Sequence, residues 1–319
     1  MPDDNYISQK GFCLIKKNYK EEELYNIRKE LTVKPFVNKN FSQDSKPFKI
    51  YKEGKNKLYL PKFYGINKFY GINKFGKPLI NNMNDGLKIN IKFKSELRDK
   101  QKPVVKKFIE EAYGKGGGII SVPCGFGKTV LSLYIISKLK TKTLVIVHKE
   151  FLLNQWKERI EFFLPEAKIG RLQGNIIDIK DKDIVIGMLQ SISMRDYQED
   201  IFKEFGFVIY DECHHLGAEV FSKSLFKVPC KYTLGLSATP DRNDGLTKVF
   251  KWFLGDIVYL IKNREQEEVL VDLIKYYNED EKYSKVICNY RGQINMPNMI
   301  TNICLFEPRN KLIIEKLKV

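Results

Sequence analysis

From residue 115 onwards, short apolar runs alternate with amphipathic stretches. Most of the runs show no alternation with a period of two, which predicts strands buried on both faces, as in a parallel sheet covered by helices. The predicted strands are GGIISV (117–122), TLVIV (143–147), DIVIG (183–187), FVIYD (207–211) and YTLGLS (232–237). The predicted helices are 128–139, 150–163 and 219–226. This order is typical of a doubly wound α/β domain, whose ligands lie beyond the carboxyl ends of the strands.

The first 92 residues have a different pattern, in which short apolar pieces lie in a background rich in lysine and asparagine. GFCLI (11–15) is followed by a helical pattern at 21–31 and by a turn near Pro35. We therefore predict a small α+β domain that precedes the α/β domain.

A duplication lies within this first region: KFYGIN occurs at 62–67 and again at 68–73. Two copies are too few for a stacked repeat architecture. One interpretation is a surface loop lengthened by replicative slippage. The other is that the aromatic side chains between the lysines offer stacking faces to unpaired bases. These aromatic residues are Phe63, Tyr64, Phe69 and Tyr70.

The chain has a formal net charge of +16, and most of the excess lies near its start. Residues 1–100 contain 22 Lys or Arg and 11 Asp or Glu. Such an excess favours binding to nucleic acid, because each phosphate that is neutralised releases condensed counterions. The alternative is compositional, since abundant Lys, Asn, Ile, Phe and Tyr are also what an AT-rich genome encodes.

The six cysteines form no C-x-x-C pair, so the sequence predicts reduced thiols of an intracellular protein. We expect Cys213 to pack in the interior rather than to bind zinc. The sequence shows no signal peptide and no apolar run of about 18 residues, the length of a membrane span. We expect a cytoplasmic or nuclear protein that is not secreted and has no membrane partner.

SVPCGFGKT (121–129) joins the first strand of the predicted sheet to a helix. A phosphate-binding loop needs inward-pointing backbone N–H groups, a helix N-terminus, a lysine for the β and γ phosphates and a hydroxyl for Mg²⁺. Gly125 and Gly127 supply the permissive backbone, and Lys128 and Thr129 supply the other two groups. The usual pattern G-x-x-x-x-G-K-[ST] has a glycine where this chain has Val122. By itself the segment is also explained as a plain turn before a helix.

Two adjacent carboxylates, Asp211 and Glu212, follow the strand FVIY. At a strand end such a pair can divide the work of phosphoryl hydrolysis: Asp211 would enter the Mg²⁺ shell, and Glu212 would orient the attacking water or accept its proton. A solvated acidic loop is the alternative. The position after a buried strand, about eighty residues beyond GKT, favours the catalytic interpretation.

A further strand ends in small hydroxyl residues, in LGLSATP (234–240). We expect Ser237 and Thr239 to take a hydrogen bond from His214, which would pass the state of the nucleotide to the rest of the protein. Without the other motifs, Ser237-Ala238-Thr239 is also an ordinary turn.

PCGFGKT (123–129), DECH (211–214) and SATP (237–240) resemble, in this order and spacing, motifs I, II and III of the superfamily 2 helicases of the DEAD/DEAH-box kind. Members of that superfamily commonly have a residue other than glycine at the position of Val122. PCGFGKT and the segment 238–259 are most similar to the XPB-like branch. Together with the basic first region, they suggest an XPB-like helicase of a large DNA virus, serving transcription or DNA processing in a virion or viral factory.

The resemblance implies a RecA-like doubly wound parallel sheet, the lobe of a P-loop NTPase, preceded by the small basic α+β domain. It implies ATP and Mg²⁺ as cofactors, and nucleic acid, DNA rather than RNA, as a partner beside the transcription machinery. The implied domains are a basic accessory domain (1–92), an ATP-binding lobe (93–262), and a linker with the start of a truncated second lobe (263–319).

The resemblance also implies roles for individual residues. The catalytic residues would be Lys128, Asp211, Glu212 and His214, and Mg²⁺ would be held by Thr129 and Asp211. The nucleotide would be bound by Gln101, from LRDKQ (97–101), and by Pro123, Cys124, Gly125, Phe126, Gly127, Lys128, Thr129 and Val130. Coupling to movement would use Ser237, Ala238 and Thr239. Nucleic acid would contact a loop with Arg171, in IGRLQG (169–174), as well as Gln190 and Ser191, in VIGMLQSI (185–192). LVIVHKEFLLNQW (144–156) resembles motif Ia.

Two features depart from the family pattern. The Arg-Glu-Asp triplet of XPB has its nearest counterpart in Arg264-Glu265-Gln266. The QxxGRxxR helix, with which a second RecA-like lobe supplies arginine fingers, is absent from the sequence, and 307–319 resembles the opening helix of such a lobe. We therefore expect a second lobe in cis beyond Val319 or in trans, and weak or no ATP hydrolysis by residues 1–319 alone.

Three alternatives stay open. The chain could be a non-catalytic module that binds nucleic acid or a transcription complex. Within enzymes, an RNA helicase and a restriction-type translocase are the other two, because a first lobe contacts phosphates rather than base edges. Intact Lys128, Asp211 and Glu212 favour an enzyme over a binding module.

Overall fold

The computed structural model describes residues 4–35, 46–69, 80–214, 219–239, 245–261 and 273–317. The chain divides into two compact units, 1–264 and 265–319. The first unit contains a small sheet near the N-terminus and a large sheet that carries the predicted motifs.

The small sheet has five strands and is accompanied by a helix and a two-stranded ribbon. Its strands are β1 (Tyr6–Ser8), β2 (Gly11–Ile15), β5 (Lys52–Glu53), β6 (Lys57–Leu60) and β7 (Ile80–Asn81), in the spatial order β5-β6-β2-β1-β7. The ribbon is β3 (Thr32–Val33) with β4 (Phe48–Lys49), and the helix is α1 (Glu21–Glu30). Phe12 and Leu14 of β2 share a buried core with Leu24 and Ile27 of α1. The predicted α+β character and the predicted helix at 21–31 are therefore confirmed.

The first copy of KFYGIN forms a buried helix, α2 (Lys62–Lys68). Phe63 is 2% exposed and Tyr64 is 3% exposed, so neither has a free face for a nucleic-acid base. A Cβ built on Gly65 would lie 2.1 Å from the ring of Phe12, so this glycine lets the helix approach β2 closely. The stacking interpretation is therefore wrong for Phe63 and Tyr64, and the first copy is a buried helix rather than a surface loop. That the duplication arose by replicative slippage stays a prediction. Phe69 stacks on Phe12, and Tyr70 lies outside the described residues.

The large sheet has eight strands. They are β8 (Gly117–Ser121), β9 (Thr143–Val147), β10 (Ile169–Gln173), β11 (Ile176–Asp178), β12 (Ile184–Met188), β13 (Phe207–Tyr210), β14 (Tyr232–Ser237) and β15 (Ile257–Leu260). The spatial order is β11-β10-β12-β9-β13-β14-β8-β15, and every neighbouring pair is parallel except the hairpin β10-β11. The five predicted strands are confirmed with ends that differ by at most one residue.

Helices cover both faces of this sheet. They are α3 (Lys102–Gly114), α4 (Lys128–Leu139), α5 (Glu150–Phe163), α6 (Leu189–Met194), α7 (Glu219–Lys227) and α8 (Thr247–Leu254). Successive residues of a strand point to opposite faces of the sheet and pack in separate hydrophobic cores. Ile119 packs in one core with residues of α6 and α8, and Ile120 packs in the other with residues of α3, α4 and α5. The predicted doubly wound α/β fold, with a parallel sheet of the RecA-like kind, is confirmed.

Helix α2 joins the small sheet to the large domain. Its first residue, Lys62, donates from Nζ to the carbonyl oxygen of Lys231 at 2.7 Å and to that of Gly116 at 3.4 Å. Tyr64 packs edge-on against the ring of Trp252 in α8, with 5.3 Å between the ring centroids. The predicted boundary between residues 92 and 93 stays a prediction.

The second unit contains three helices among its described residues: α9 (Glu281–Ser284), α10 (Met296–Leu305) and α11 (Glu307–Leu317). A helix does begin at Glu307, as expected, and neither α10 nor α11 contains a buried residue. Within the ranges that the structure describes, no helix is both long and apolar enough to cross a membrane. The triplet at 264–266 lies outside those ranges.

Candidate active site

The predicted phosphate loop lies between β8 and α4. Val122, at the position where the usual pattern has glycine, is fully buried and donates its backbone N–H to the carbonyl oxygen of Ser237 at 3.1 Å. It thus extends the pairing of β8 with β14. The residue lies in the sheet rather than in the turn, so this position does not require the conformational freedom of glycine.

The turn itself is made by two glycines with left-handed backbones, Gly125 (φ 83°) and Gly127 (φ 99°). Gly127 is the N-cap of α4, which begins at Lys128. The first four N–H groups of a helix have no partner within it, so the start of α4 can offer them to an anion. Gly125 is exposed, with open space around its Cα. The loop therefore provides backbone donors and room for a phosphate group.

Gln101 holds this loop in place through a hydrogen bond to its backbone. Its Nε2 donates to the carbonyl oxygen of Phe126 at 2.8 Å, and the Nη2 of Arg98 donates to the same oxygen at 3.0 Å. The Oε1 of Gln101 accepts from the backbone N–H of Arg98 at 3.0 Å. The side chain is buried and engaged with the loop backbone. Its predicted contact with adenine stays a prediction.

Lys128 and Glu212 meet at the centre of the site. The Nζ of Lys128 lies 3.1 Å from the Oε1 of Glu212, although 84 residues separate them in the sequence. Glu212 has a left-handed backbone, with φ 51°. Such a conformation costs a residue with a Cβ about 1–2 kcal/mol, and strained residues of this kind are concentrated at functional sites.

The carboxylate of Asp211 is held on both oxygens. Its Oδ2 accepts from the indole Nε1–H of Trp156 at 2.8 Å, and its Oδ1 accepts from the backbone N–H of Glu212 at 3.1 Å. Burial raises the pKa of Asp211, and the charge of Glu212 adds to this, whereas the Trp156 hydrogen bond and the charge of Lys128 oppose it. Trp156 is a site residue that the sequence analysis missed, although it ends the segment 144–156 that resembles motif Ia.

His214 contacts the third motif. Its Nδ1 lies 3.2 Å from the Oγ of Ser237 and 3.4 Å from the Oε2 of Glu212. The expected hydrogen bond between His214 and Ser237 is therefore present. Thr239 donates its backbone N–H to the Oγ of Ser237 at 3.1 Å, and its expected bond to His214 stays a prediction. Lys128, Asp211, Glu212, His214 and Ser237 form one cluster.

The donor set around Asp211 suits Mg²⁺ that is bound together with a nucleotide. In the described part of the chain, no three His, Cys, Asp or Glu side chains cluster closely enough to hold a metal ion by themselves. Mg²⁺ usually binds through one or two carboxylates together with substrate phosphates. A cation beside Asp211 would also offset the desolvation that raises the pKa of its carboxyl group. Thr129, the second residue of α4, is the other predicted ligand.

The three predicted nucleic-acid contacts lie in another part of the sheet. Arg171 is in strand β10, not in a loop as predicted, because its segment pairs with both β11 and β12. Its Nη2 donates to the Oε1 of Glu150 at 3.0 Å. Gln190 and Ser191 lie in the first turn of α6, which begins at Leu189 directly after β12. The cluster around Lys128 and Glu212, called the nucleotide cluster below, lies at β8, β13 and β14. Strand β9 separates those strands from β12 and β10.

Residues 94–242 match the family model described as the res subunit of type III restriction enzymes. Over 316 residues, the chain is 34% identical to a protein of Acanthamoeba polyphaga mimivirus that is named as an ATP-dependent RNA helicase, covering 97% of this chain and 59% of that protein. It is 36% identical over 195 residues to the DNA 3'-5' translocase XPB2 of Sulfurisphaera tokodaii, covering 60% of this chain and 41% of the translocase. The chain therefore spans little more than half the length of the mimivirus relative.

Among solved structures, the UvsW helicase of bacteriophage T4 has a similar fold. The TM-score is 0.54 at 18% sequence identity, and the match covers 75% of this chain and 94% of UvsW.

Proposed function

Because the chain belongs to the superfamily 2 helicases, we propose that its large domain binds ATP with Mg²⁺ and hydrolyses it to drive movement along DNA. The observation that carries this proposal is the cluster at the strand ends. Lys128 from the loop after β8 meets Glu212 from the turn after β13 at 3.1 Å, beside the half-buried carboxylate of Asp211.

The geometry suggests how each residue acts. The amine of Lys128 would leave Glu212 for the β and γ phosphates when ATP binds. This exchange would free the carboxylate of Glu212 to orient the attacking water and accept its proton. Asp211 and Thr129 would hold Mg²⁺, which would neutralise charge on the phosphates. His214, bonded to Ser237, would pass the change at Glu212 to the segment after β14.

DNA is proposed as the substrate because of the similarity to the XPB2 translocase and the basic first region. RNA is the second candidate, because the mimivirus relative that matches 97% of this chain is named as an RNA helicase. In either case, the proposed contacts to the phosphate backbone of the nucleic acid are made by Arg171, Gln190 and Ser191. In this proposal the nucleic acid lies over the ends of β10 and β12, and β9 separates those strands from the nucleotide cluster. A role in viral transcription or DNA processing is part of this proposal.

The first test is ATP binding by the Lys128→Ala variant, measured by titration calorimetry with Mg²⁺. Loss of one hydrogen-bonded charge pair removes about 1.5–3 kcal/mol, which corresponds to weaker binding by about 10-fold to 100-fold. Lys138→Ala is the matched control, because Lys138 is an exposed lysine of the same helix. Equal affinity of the Lys128→Ala variant and the wild type would show that the loop does not bind ATP.

The second test compares ATP turnover by the full-length protein, together with its second lobe, in the presence of duplex DNA, single-stranded DNA and RNA of equal length. The second lobe is needed because residues 1–319 alone are expected to hydrolyse ATP weakly or not at all. Stimulation by duplex DNA above the other two supports a DNA translocase, and stimulation by RNA alone supports the second candidate. Tight ATP and nucleic-acid binding without turnover under any condition would favour a non-catalytic binding module.

A further inference from the structure

We infer that Trp156 is a positioning residue for Asp211, whose carboxylate it holds ready for Mg²⁺ by donating a hydrogen bond from its indole N–H. The inference rests on the proposed function and deepens it, because it assigns part of the affinity for Mg²⁺ to a residue that does not touch the ion. Trp156 lies 55 residues before Asp211 in the sequence, on a different element.

The hydrogen bond is well formed, and its donor is shielded from water. The Nε1 of Trp156 lies 2.8 Å from the Oδ2 of Asp211, and no part of Trp156 is exposed to solvent. A buried indole N–H needs an acceptor, and a charged acceptor gives a stronger bond than a neutral one. The buried indole therefore depends on this carboxylate as its hydrogen-bond acceptor.

Trp156 is itself held in place by its helix. Leu153, three residues before it, and Ile160, four residues after it, are also buried, so all three face the core from one side of α5. They belong to the core cluster that includes Val147 and Met188, at the ends of β9 and β12. The donor is thus attached to a packed helix rather than to a loop.

Asp211 has little freedom left. Its backbone N–H donates to the carbonyl oxygen of Ile146 at 3.0 Å, its Oδ1 accepts from the N–H of Glu212, and its Oδ2 accepts from Trp156. A carboxylate fixed in this way loses less rotational entropy when a cation binds. Groups that hydrogen-bond to a metal ligand typically change metal affinity or activity by about 10-fold to 100-fold.

The Trp156→Phe variant removes the indole N–H and keeps an aromatic ring in the core. We expect the Mg²⁺ concentration that half-saturates ADP binding, measured by calorimetry, to rise about 10-fold to 100-fold. Binding of ADP in EDTA should not change. A residue with only a packing role would lower the thermal unfolding midpoint without changing the Mg²⁺ dependence, and that result would overturn the inference.

The control is Trp252→Phe, which alters the only other tryptophan of the chain. Trp252 lies in α8 against Tyr64, so its replacement should leave the Mg²⁺ dependence unchanged. The same variant gives a second measurement that needs no change at Trp156, because Trp156 is then the sole indole fluorophore.

In the Trp252→Phe protein we expect Mg²⁺ with ADP to change the emission of Trp156, since the charge at its hydrogen-bond acceptor is neutralised. ADP in EDTA should not change it. Binding that calorimetry detects without any change in emission would overturn the inference and leave the proposed function standing. If the wild type binds no nucleotide at all, the proposed function fails, and the inference fails with it.

Discussion

Lys62, the first residue of α2, has a buried amine at the junction of the small sheet and the large domain. The residue is 6% exposed, and its Nζ donates to two backbone carbonyl oxygens, those of Lys231 and Gly116. Burial lowers the pKa of Lys62 from its ordinary value of 10.5 to about 7. In the unfolded chain the amine returns to water and keeps the ordinary pKa.

The sign of the effect follows from this difference. Between pH 7 and pH 10.5 the unfolded state binds more protons than the folded state, so the free energy of unfolding rises with pH in this window. One pKa unit corresponds to about 1.4 kcal/mol, so the charged amine would cost up to about 5 kcal/mol below pH 7. The two carbonyl acceptors favour the charged amine and offset part of this cost. Between pH 6 and pH 9 we therefore expect a gain of about 2 kcal/mol from this one group.

The test replaces Lys62 by methionine, which has a similar length and no charge. Urea unfolding at pH 6 and pH 9 should show that the wild type gains about 2 kcal/mol more than the Lys62→Met variant. Lys68→Met is the matched control, because Lys68 begins the second copy of KFYGIN but is 37% exposed and pairs with Glu30 at 2.6 Å. That variant should keep the pH dependence of the wild type. The same pH dependence in the wild type and in the Lys62→Met variant would refute this reasoning.

Two further predictions concern the active site. Gly127→Ala should lower the free energy of unfolding by about 1–2 kcal/mol. The alanine would have to adopt a left-handed backbone, and its Cβ would lie 2.6 Å from the Nε2 of Gln101. Thermal unfolding measures the loss, and an unchanged midpoint would contradict the prediction. In the full-length protein with its second lobe, Glu212→Gln should slow ATP hydrolysis by about 10²-fold to 10⁴-fold while ATP still binds. Turnover assays and calorimetry measure the two effects, and loss of both hydrolysis and binding would contradict the separate roles of Glu212 and the loop.

The core of the large sheet was predictable because its strands are buried on both faces. Continuous apolar runs such as TLVIV leave few alternatives, and β9 has the predicted ends. Strand β10 was missed because Arg171 and Gln173 alternate with buried residues near one edge of the sheet, in a segment that looks polar. Strand β11, beyond it, is exposed at every position. Edge strands of this kind are determined by their neighbours more than by their own composition.

The packing of α2 against β2 and the hydrogen bond from Trp156 to Asp211 both depend on contacts between residues that are distant in the sequence. KFYGIN contains a glycine and an asparagine, which favour turns over helices, yet packing against Phe12 makes its first copy helical. The motifs placed both Lys128 and Glu212 at strand ends, and therefore at the same edge of the sheet, but they did not predict that the two side chains are in contact. The bond from Trp156 to Asp211 was not predicted either, because no local pattern relates α5 to the turn after β13.

Val122 has a consequence for how such loops are detected in other genomes. Its N–H completes the pairing with β14 and its side chain fills the core, so the demands at this position are those of a strand interior. A search pattern that requires glycine there would reject this chain although the turn at Gly125 and Gly127 is intact. A profile that scores position 122 by hydrophobicity, and only positions 125 and 127 by glycine, would retain proteins that a fixed consensus discards.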